Sequence, residues 1–432
     1  MIRSLLKKGL VDLLSANFLI QILGFGTVLF IPRFVSPAEF GTVKMLQSFT
    51  SIFLILAGFG FNTAILKLCA EQRPDEEKAY LLRLSVTRTL FASGIAWFLL
   101  ALLAHTPILS GRPLLRHWLP IFGLMLPFSA VTMLLGAFLQ AQLRIREMAR
   151  AQLLVKIQSV ILIVFSTWLW ALKGFIGSTL IAYAAGMWPY LRLTGHSFMM
   201  SAPRRVPALF MRMATYSTLA NGIHTVGKYA DIFVLALFLP DANAIGYYAL
   251  ATIFLLGASV VTSTIQNITL PLLSARSHDA IWFRRQLWRT QWQTTIVSIA
   301  VALMMRVIAT AIIHLFYNPA YLSTLVYLDV LLLYHVVRSS FAIMGTGLIS
   351  LGLPQYNFMA ACVTTPVGLV LSYGALHFFG IGGVPWARVV TATISLVLLF
   401  IGTHLALRRQ FPAVGRNPIL ATYAPTQPRH MI

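Results

Sequence analysis

The sequence predicts an all-α polytopic membrane protein: about twelve transmembrane helices in two six-helix bundles related by a pseudo-two-fold axis along the membrane normal. Three observations carry this. Of 432 residues, 58% are hydrophobic and only 10% charged, with a mean hydropathy of +0.80. Apolar stretches of about 20 residues, the length that crosses a hydrocarbon core, recur along the chain. Basic residues gather in alternate loops. Soluble domains are about a quarter charged, so a soluble enzyme or a nucleic-acid binder is excluded.

The spans follow in order. Residues 10–31 come after Arg3, Lys7 and Lys8, but the run is long for a signal peptide and lacks a small-residue cleavage site, so it is kept as the first span. Span two, 42–68, carries Lys44, Gln47, Ser51, Gly58 and Asn62 on one face. Spans three and four, 80–104 and 118–140, hold Arg83, Arg88 and Pro127. Spans five and six are 152–171, with Lys156, and 178–198, with Arg192. Span seven is 213–238, and span eight, 247–273, bears Ser259, Thr262, Gln266 and Thr269 at helical steps. Spans nine to twelve are 290–313 with Arg306, 322–348 with Asp329 and Arg338, 355–379, and 384–407 with Arg388. Pro127, Pro271 and Pro366 each remove a backbone hydrogen bond and are candidate kinks.

Charge sets the orientation. The chain has 33 Lys+Arg against 11 Asp+Glu, a net +22. With the N-terminus inside, nineteen cations fall on inner segments and only Arg33, Arg112, Arg116 and Lys173 on outer loops. By the positive-inside rule both termini are then cytoplasmic. Ten further cations lie within or at the edge of spans, against only Asp12, Asp231 and Asp329 in comparable places. Each costs about 2.5 to 3.5 kcal/mol at a bilayer centre. Lys44, Lys67, Arg83, Lys156, Arg192 and Arg388 are near enough to span ends to snorkel. Arg88, Lys228, Arg306 and Arg338 sit deeper and are expected to face a water-filled or protein-lined interior.

Span seven gives the clearest polar face: Ser217, Asn221, His224, Lys228 and Asp231 recur at steps of four, three, four and three. Lys228 and Asp231, at i and i+3, can pair. Asn17, Gln21 and Gly24 add a polar face to span one, so spans one, two, seven and eight are polar-faced. Cutting the chain near residue 206 gives halves of six spans that start on the same membrane side, a parallel repeat. "FVSPAEFGTVKMLQSF" around Gly41 echoes "FLPDANAIGYYALATIF" around Gly246. The expected divisions are an N-terminal bundle, 1–206, a C-terminal bundle, 207–407, and a cytoplasmic tail, 408–432.

Other chemistries lack their residues. There is no Walker phosphate loop, H-E-x-x-H or G-x-S-x-G motif. His224, His314, His335, His377 and His404 are scattered singly, and Cys69 and Cys362 lack metal-ligand spacing. No catalytic residue, metal or cofactor is expected.

The stretch "LLSANFLIQILGFGTVLFIPRFVSPAEFGTVKMLQSFTSIFLILAGFG", with Arg33, Pro37, Glu39, Phe40 and Gly41 in its turn, resembles the N-terminal region of polysaccharide and O-antigen flippases. These belong to the multidrug/oligosaccharidyl-lipid/polysaccharide exporter superfamily. "YADIFVLALFLPDANAIGYYALA", "ITLPLLSA", "LFYNPAYLST" and "FFGIGGVPWARVV" look like further family elements. The resemblance implies two bundles around a cavity opening alternately to each side of a bacterial inner membrane. It also implies transport of undecaprenyl-diphosphate-linked oligosaccharide, with membrane lipid around it and a polysaccharide polymerase and chain-length proteins as candidate partners. Such a substrate is anionic and hydrated, and Lys, Arg and amide side chains can replace its water. Lys228, Arg88, Arg306 and Arg338 are the candidate cavity cations, with Lys44 near the outer mouth. Asn17, Gln21, Asn62, Asn221, Gln266 and Asn267 are candidate hydrogen-bond partners, and His224 lies on the same stripe. Asp231 is the candidate for ion coupling or, preferably, the partner of Lys228. The alternatives are a drug or organic-cation antiporter of the same superfamily, which predicts an acidic cavity, a peptidoglycan-precursor flippase with two more C-terminal helices, and a membrane enzyme acting on lipid-linked sugars.

Overall fold

The computed structural model describes residues 11–71, 73–199 and 208–411. The cut near 206, the cations Arg3, Lys7 and Lys8, and nearly all of the expected tail lie outside the described residues, as does the side chain of Asn17. The first lobe comprises α1 (Val11–Phe30), α2 (Pro37–Gly58), α3 (Phe61–Leu68), α4 (Asp75–His105), α5 (Pro113–Gly123), α6 (Met125–Ala141) and α7 (Ile145–Met199). The second comprises α8 (Ala208–Phe238), α9 (Ala242–Ala275), α10 (Ala280–Phe316), α11 (Thr324–Ser339), α12 (Ala342–Ser350), α13 (Gln355–Phe379) and α14 (Gly383–Gln410). Local sequence sets several starts. Ser36 and Glu39 form a capping box at α2, Asp241 caps α9, and Asp279 caps α10 through the Trp282 N–H.

Eight described helices are long and apolar enough to cross a bilayer, or nine with the bent pair α5/α6. The α7 segment holds two crossings, and α1 and the polar-striped α8 complete twelve.

Three expected spans are each two helices. Span two breaks at Phe59 and Gly60, both with positive φ, and a Cβ on Gly60 would meet the Ala214 carbonyl oxygen at 2.2 Å. The break therefore lets the chain press against α8 where a side chain would collide. Span four bends by 42° between Gly123 and Met125. Pro127 explains it, because its ring clashes with the carbonyl four residues back. Span ten breaks around Ser340 and Phe341, where Gln291 splints the gap: it donates to the Ser339 carbonyl at 2.8 Å and accepts from the Ile343 N–H at 3.0 Å. Helices α9 and α13 run on through Pro271 and Pro366. Between spans five and six the expected loop is a reversal at Trp170 and Ala171, the latter at φ 46°, so tight that a Cβ on Gly174 would meet Ser166 O at 1.8 Å.

Arg73, Lys78, Arg144, Arg276 and Arg408 mark one end of the molecule, here the basic end. At the other end the lobes share one apolar core that takes in Phe40, Phe49, Leu235, Ile245, Tyr248 and Phe254. Helix α2 packs on α8 and α9 there, closing that end. Toward the basic end the core divides. One cluster gathers Phe61, Leu68, Phe138 and Tyr190 with Phe210, and a separate one gathers Leu273, Phe283, Leu287 and Leu407.

Candidate functional site

Helix α8 faces α2 and α3 across the seam between the lobes, and its polar stripe meets a cavity of about 440 Å³. Asn221, His224 and Lys228 line it from α8, Ser51 and Gly58 from α2, and Asn62 from α3. Asn221, His224 and Lys228 are exposed, and Asn62 is half-buried. Ser217 turns to the seam, sharing a 2.7 Å hydrogen bond with Thr63.

The expected Lys228–Asp231 pair does not form. Asp231 is 2% exposed, and its carboxylate accepts from the Tyr248 hydroxyl and lies 3.3 Å from Arg388 Nη1. Lys228 instead carries its ammonium 5.1 Å from the Tyr229 ring centroid. At about 100° per residue, Asp231 stands some 60° round α8 from Lys228, at the edge of the stripe, where it turns into the lobe's interior. Arg388, expected to snorkel, is instead half-buried and is the cation that matches it. It also donates to the Lys228 carbonyl at 3.1 Å and stacks on Tyr334. Arg388, Tyr248 and Tyr334 are the site residues that sequence reasoning missed. Depth was the available signal: Asp231 and Arg388 lie about 10 Å and 8 Å in from the same end of the molecule, counting 1.5 Å per residue.

Lys44, half-buried over the Phe40 ring, is close enough to Lys228 for their charges to repel. Arg338, exposed, donates to the Tyr334 hydroxyl at 3.2 Å, and the same Tyr334 ring lies under Arg388, which donates to the Lys228 carbonyl. Lys44, Lys228, Arg338 and His224 therefore share one region. Among the described residues, no carboxylate lines the cavity and none is ion-paired with Lys44, Lys228 or Arg338. Lys228 is the one Lys or Arg among the described lining.

The remaining candidates go elsewhere. Arg306 is ion-paired with Asp329 and bonded to Thr310, beside exposed Leu303, Val307, Val326 and Leu333, so it belongs to the outer face of α10 and α11 rather than to the cavity. Arg88 donates to Met211 Sδ at 2.8 Å and lies over Phe210, at the first turn of α8. Gln266 is committed to the Ala342 carbonyl at 2.9 Å, at the start of α12. Asn267 is exposed and Gln21 half-buried. No group of three metal-ligating side chains occurs among the described residues.

A family model described as polysaccharide biosynthesis protein matches residues 6–277. No curated protein matches the sequence. Among solved structures, a multidrug resistance MATE family transporter of the MOP superfamily, inward-facing, is similar with a TM-score of 0.73 at 12% identity, over 91% of this chain and 96% of its own. The lipid II flippase MurJ, inward closed, gives 0.71 at 15% identity over 96% and 94%. A MOP superfamily transporter from Pyrococcus furiosus, described as having a binding pocket of reverse polarity, gives 0.59 at 10% identity over 92% and 94%. At these identities the likeness establishes the fold: twelve crossings in two lobes.

Proposed function

Because the chain belongs to the polysaccharide biosynthesis protein family, we propose that it is a flippase. Its cargo is an undecaprenyl-diphosphate-linked oligosaccharide, moved from the cytoplasmic to the periplasmic leaflet of a bacterial inner membrane for O-antigen, capsule or exopolysaccharide assembly. The observation that carries this reading is Lys228, without a carboxylate partner among the described residues, on a cavity walled also by Ser51, Asn62, Asn221 and Thr225, with Arg338 joined to the Lys228 backbone through Tyr334 and Arg388. Its volume, about 440 Å³, is that of a small-molecule site. A diphosphate loses most of its hydration on leaving the headgroup region, and charge-assisted hydrogen bonds from the cations restore it. Amide and hydroxyl groups do the same for sugar hydroxyls, while the polyprenyl tail stays in lipid.

With the basic end in the cytoplasm, the cavity is loaded from that side, and rocking of the lobes carries the headgroup across. Asp231, held by Arg388 and Tyr248, fixes the α8 backbone at Lys228 through the Arg388–Lys228 carbonyl bond. An antiporter of organic cations on this fold would need a carboxylate in the cavity, and the described lining has none.

The test is translocation of a defined lipid-linked oligosaccharide in reconstituted vesicles. Lys228→Gln with Arg338→Gln is expected to slow it at least tenfold, while Lys228→Arg retains most of the rate. Unchanged translocation in the double variant at normal incorporation would refute the reading. Altered product chemistry would indicate an enzyme.

A further inference from the structure

The lobes are fastened at the closed end by two contacts that mirror one another. The segment after α4 carries Arg112, whose guanidinium crosses to the second lobe. It donates to the carbonyls of Leu235, at 3.0 Å, and Leu239, and to Met45 Sδ of its own lobe at 3.3 Å. The segment after α10 begins with Tyr317, whose hydroxyl crosses to the first lobe and donates to the Leu29 carbonyl. Each acceptor belongs to the last turn, or the residue just beyond it, of the other lobe's first helix: Leu29 in α1, Leu235 and Leu239 at the end of α8. Carbonyls at a helix C-terminus carry the negative end of the helix dipole and have lone pairs to spare, even where, as at Leu235, the Leu239 N–H already donates at 3.0 Å.

The correspondence follows from the internal repeat. Gly41 and Gly246 stand at the crossing of α2 with α9. A Cβ on Gly41 would meet Ala242 O at 2.5 Å, and one on Gly246 would meet Pro37 O at 2.0 Å. The two clashes exchange under a single register, 205 residues, that takes Pro37 to Ala242 and Gly41 to Gly246. The same register takes Arg112 to Tyr317. Thus one repeat position, filled by two different donors, supplies both fastenings.

Resting on the reading of the chain as an alternating-access carrier, we propose that Arg112 and Tyr317 are paired latches of the gate at the end opposite the basic one. Each lobe holds the first helix of the other by its terminal carbonyls, and the Gly41/Gly246 crossing is the fulcrum between them. Opening that face breaks both latches at once, since each spans the same seam. Closing it re-forms bonds to carbonyls that are fixed by their helices, so the closed geometry is specified on both sides of the axis.

The experiment uses the full-length protein with Cys69→Ala, Cys362→Ala and one reporter, Ser51→Cys, on the cavity wall. Labelling by a membrane-impermeant maleimide is timed in right-side-out and inside-out vesicles. With intact latches, labelling is fast from the basic side and slow from the other. Arg112→Ala and Tyr317→Phe are each expected to raise the slow rate several-fold, and the pair at least tenfold, with Arg112→Lys restoring most of the Arg112 effect. Tyr317→Phe keeps the ring that packs on Tyr321, so it tests the bond without removing the packing. An unchanged slow rate in the Arg112→Ala/Tyr317→Phe protein, with fast labelling from the basic side, overturns the latches. Slow labelling from both sides in every protein overturns the carrier reading they rest on, and the latches with it. The same increase seen in the opposite vesicle orientation supports the latches and reverses only the sidedness.

Discussion

Replacing Gly246 by alanine puts one methyl group where α2 and α9 leave no room. The added Cβ would stand 2.0 Å from the Pro37 carbonyl oxygen, 2.7 Å from its carbon and 3.1 Å from its Cα, all backbone atoms that cannot rotate away. Reaching an ordinary 3.4 Å contact requires the helices to part by about 1.4 Å, whereas Gly41→Ala, starting from 2.5 Å, requires about 0.9 Å. Overpacking of this kind costs about 1–3 kcal/mol. In a carrier the cost falls only on the state in which the crossing is closed. A bias of 1–3 kcal/mol shifts a two-state balance about 5- to 150-fold. Gly246→Ala should therefore raise labelling of Ser51→Cys from the closed side within that range, and Gly41→Ala should do so by less. Gly94→Ala, where an added Cβ meets nothing within 4 Å, is the matched helical control. Equal labelling in the Gly246→Ala and Gly94→Ala proteins, at equal expression, would show that the crossing does not set the closed state.

Two further outcomes follow from the ion pairs. Asp231→Asn leaves the half-buried Arg388 guanidinium without its carboxylate; breaking a fully buried pair costs about 3–5 kcal/mol, and the partial exposure of Arg388 puts this loss toward the low end. The thermal midpoint of the purified protein should fall sharply and recover in part in Asp231→Asn/Arg388→Gln; no recovery would mean that the two side chains do not act as a pair. Arg306→Leu with Asp329→Leu removes a pair that flanks exposed Leu303 and Val326, away from the cavity, so translocation by the double variant should stay within about twofold of the parent. A loss comparable to that of Lys228→Gln/Arg338→Gln would return Arg306 to the transport path.

The spans were legible because each needs an uninterrupted apolar run, and such runs stand out against basic loops. Their internal breaks were less so. Pro127 marks a bend while Pro271 and Pro366 leave their helices continuous, and the breaks at Phe59 and Ser340 interrupt nothing in hydropathy; at the second, the freed backbone groups are satisfied by Gln291, distant in sequence. The stripe on α8 was readable from its period, and Asn221, His224 and Lys228 do line one cavity. Which cation answers Asp231 was not readable from spacing within α8, because proximity along one helix competes with a guanidinium brought in by α14. Arg306 shows the converse: depth within a span fixes the need for a partner, not which face of the bundle it occupies.

The reversal at Trp170 and Ala171 bears on how the chain is made. Two residues join the fifth and sixth crossings, and Gly174 already presses on the Ser166 carbonyl. With no slack between them, these crossings are expected to enter the bilayer as one helical hairpin, the second leaving the translocon against the first. An epitope or reporter inserted at 170–174 would have to unwind one of the two helices to find room, so a topology map of this chain built from fusions would be least faithful at that point.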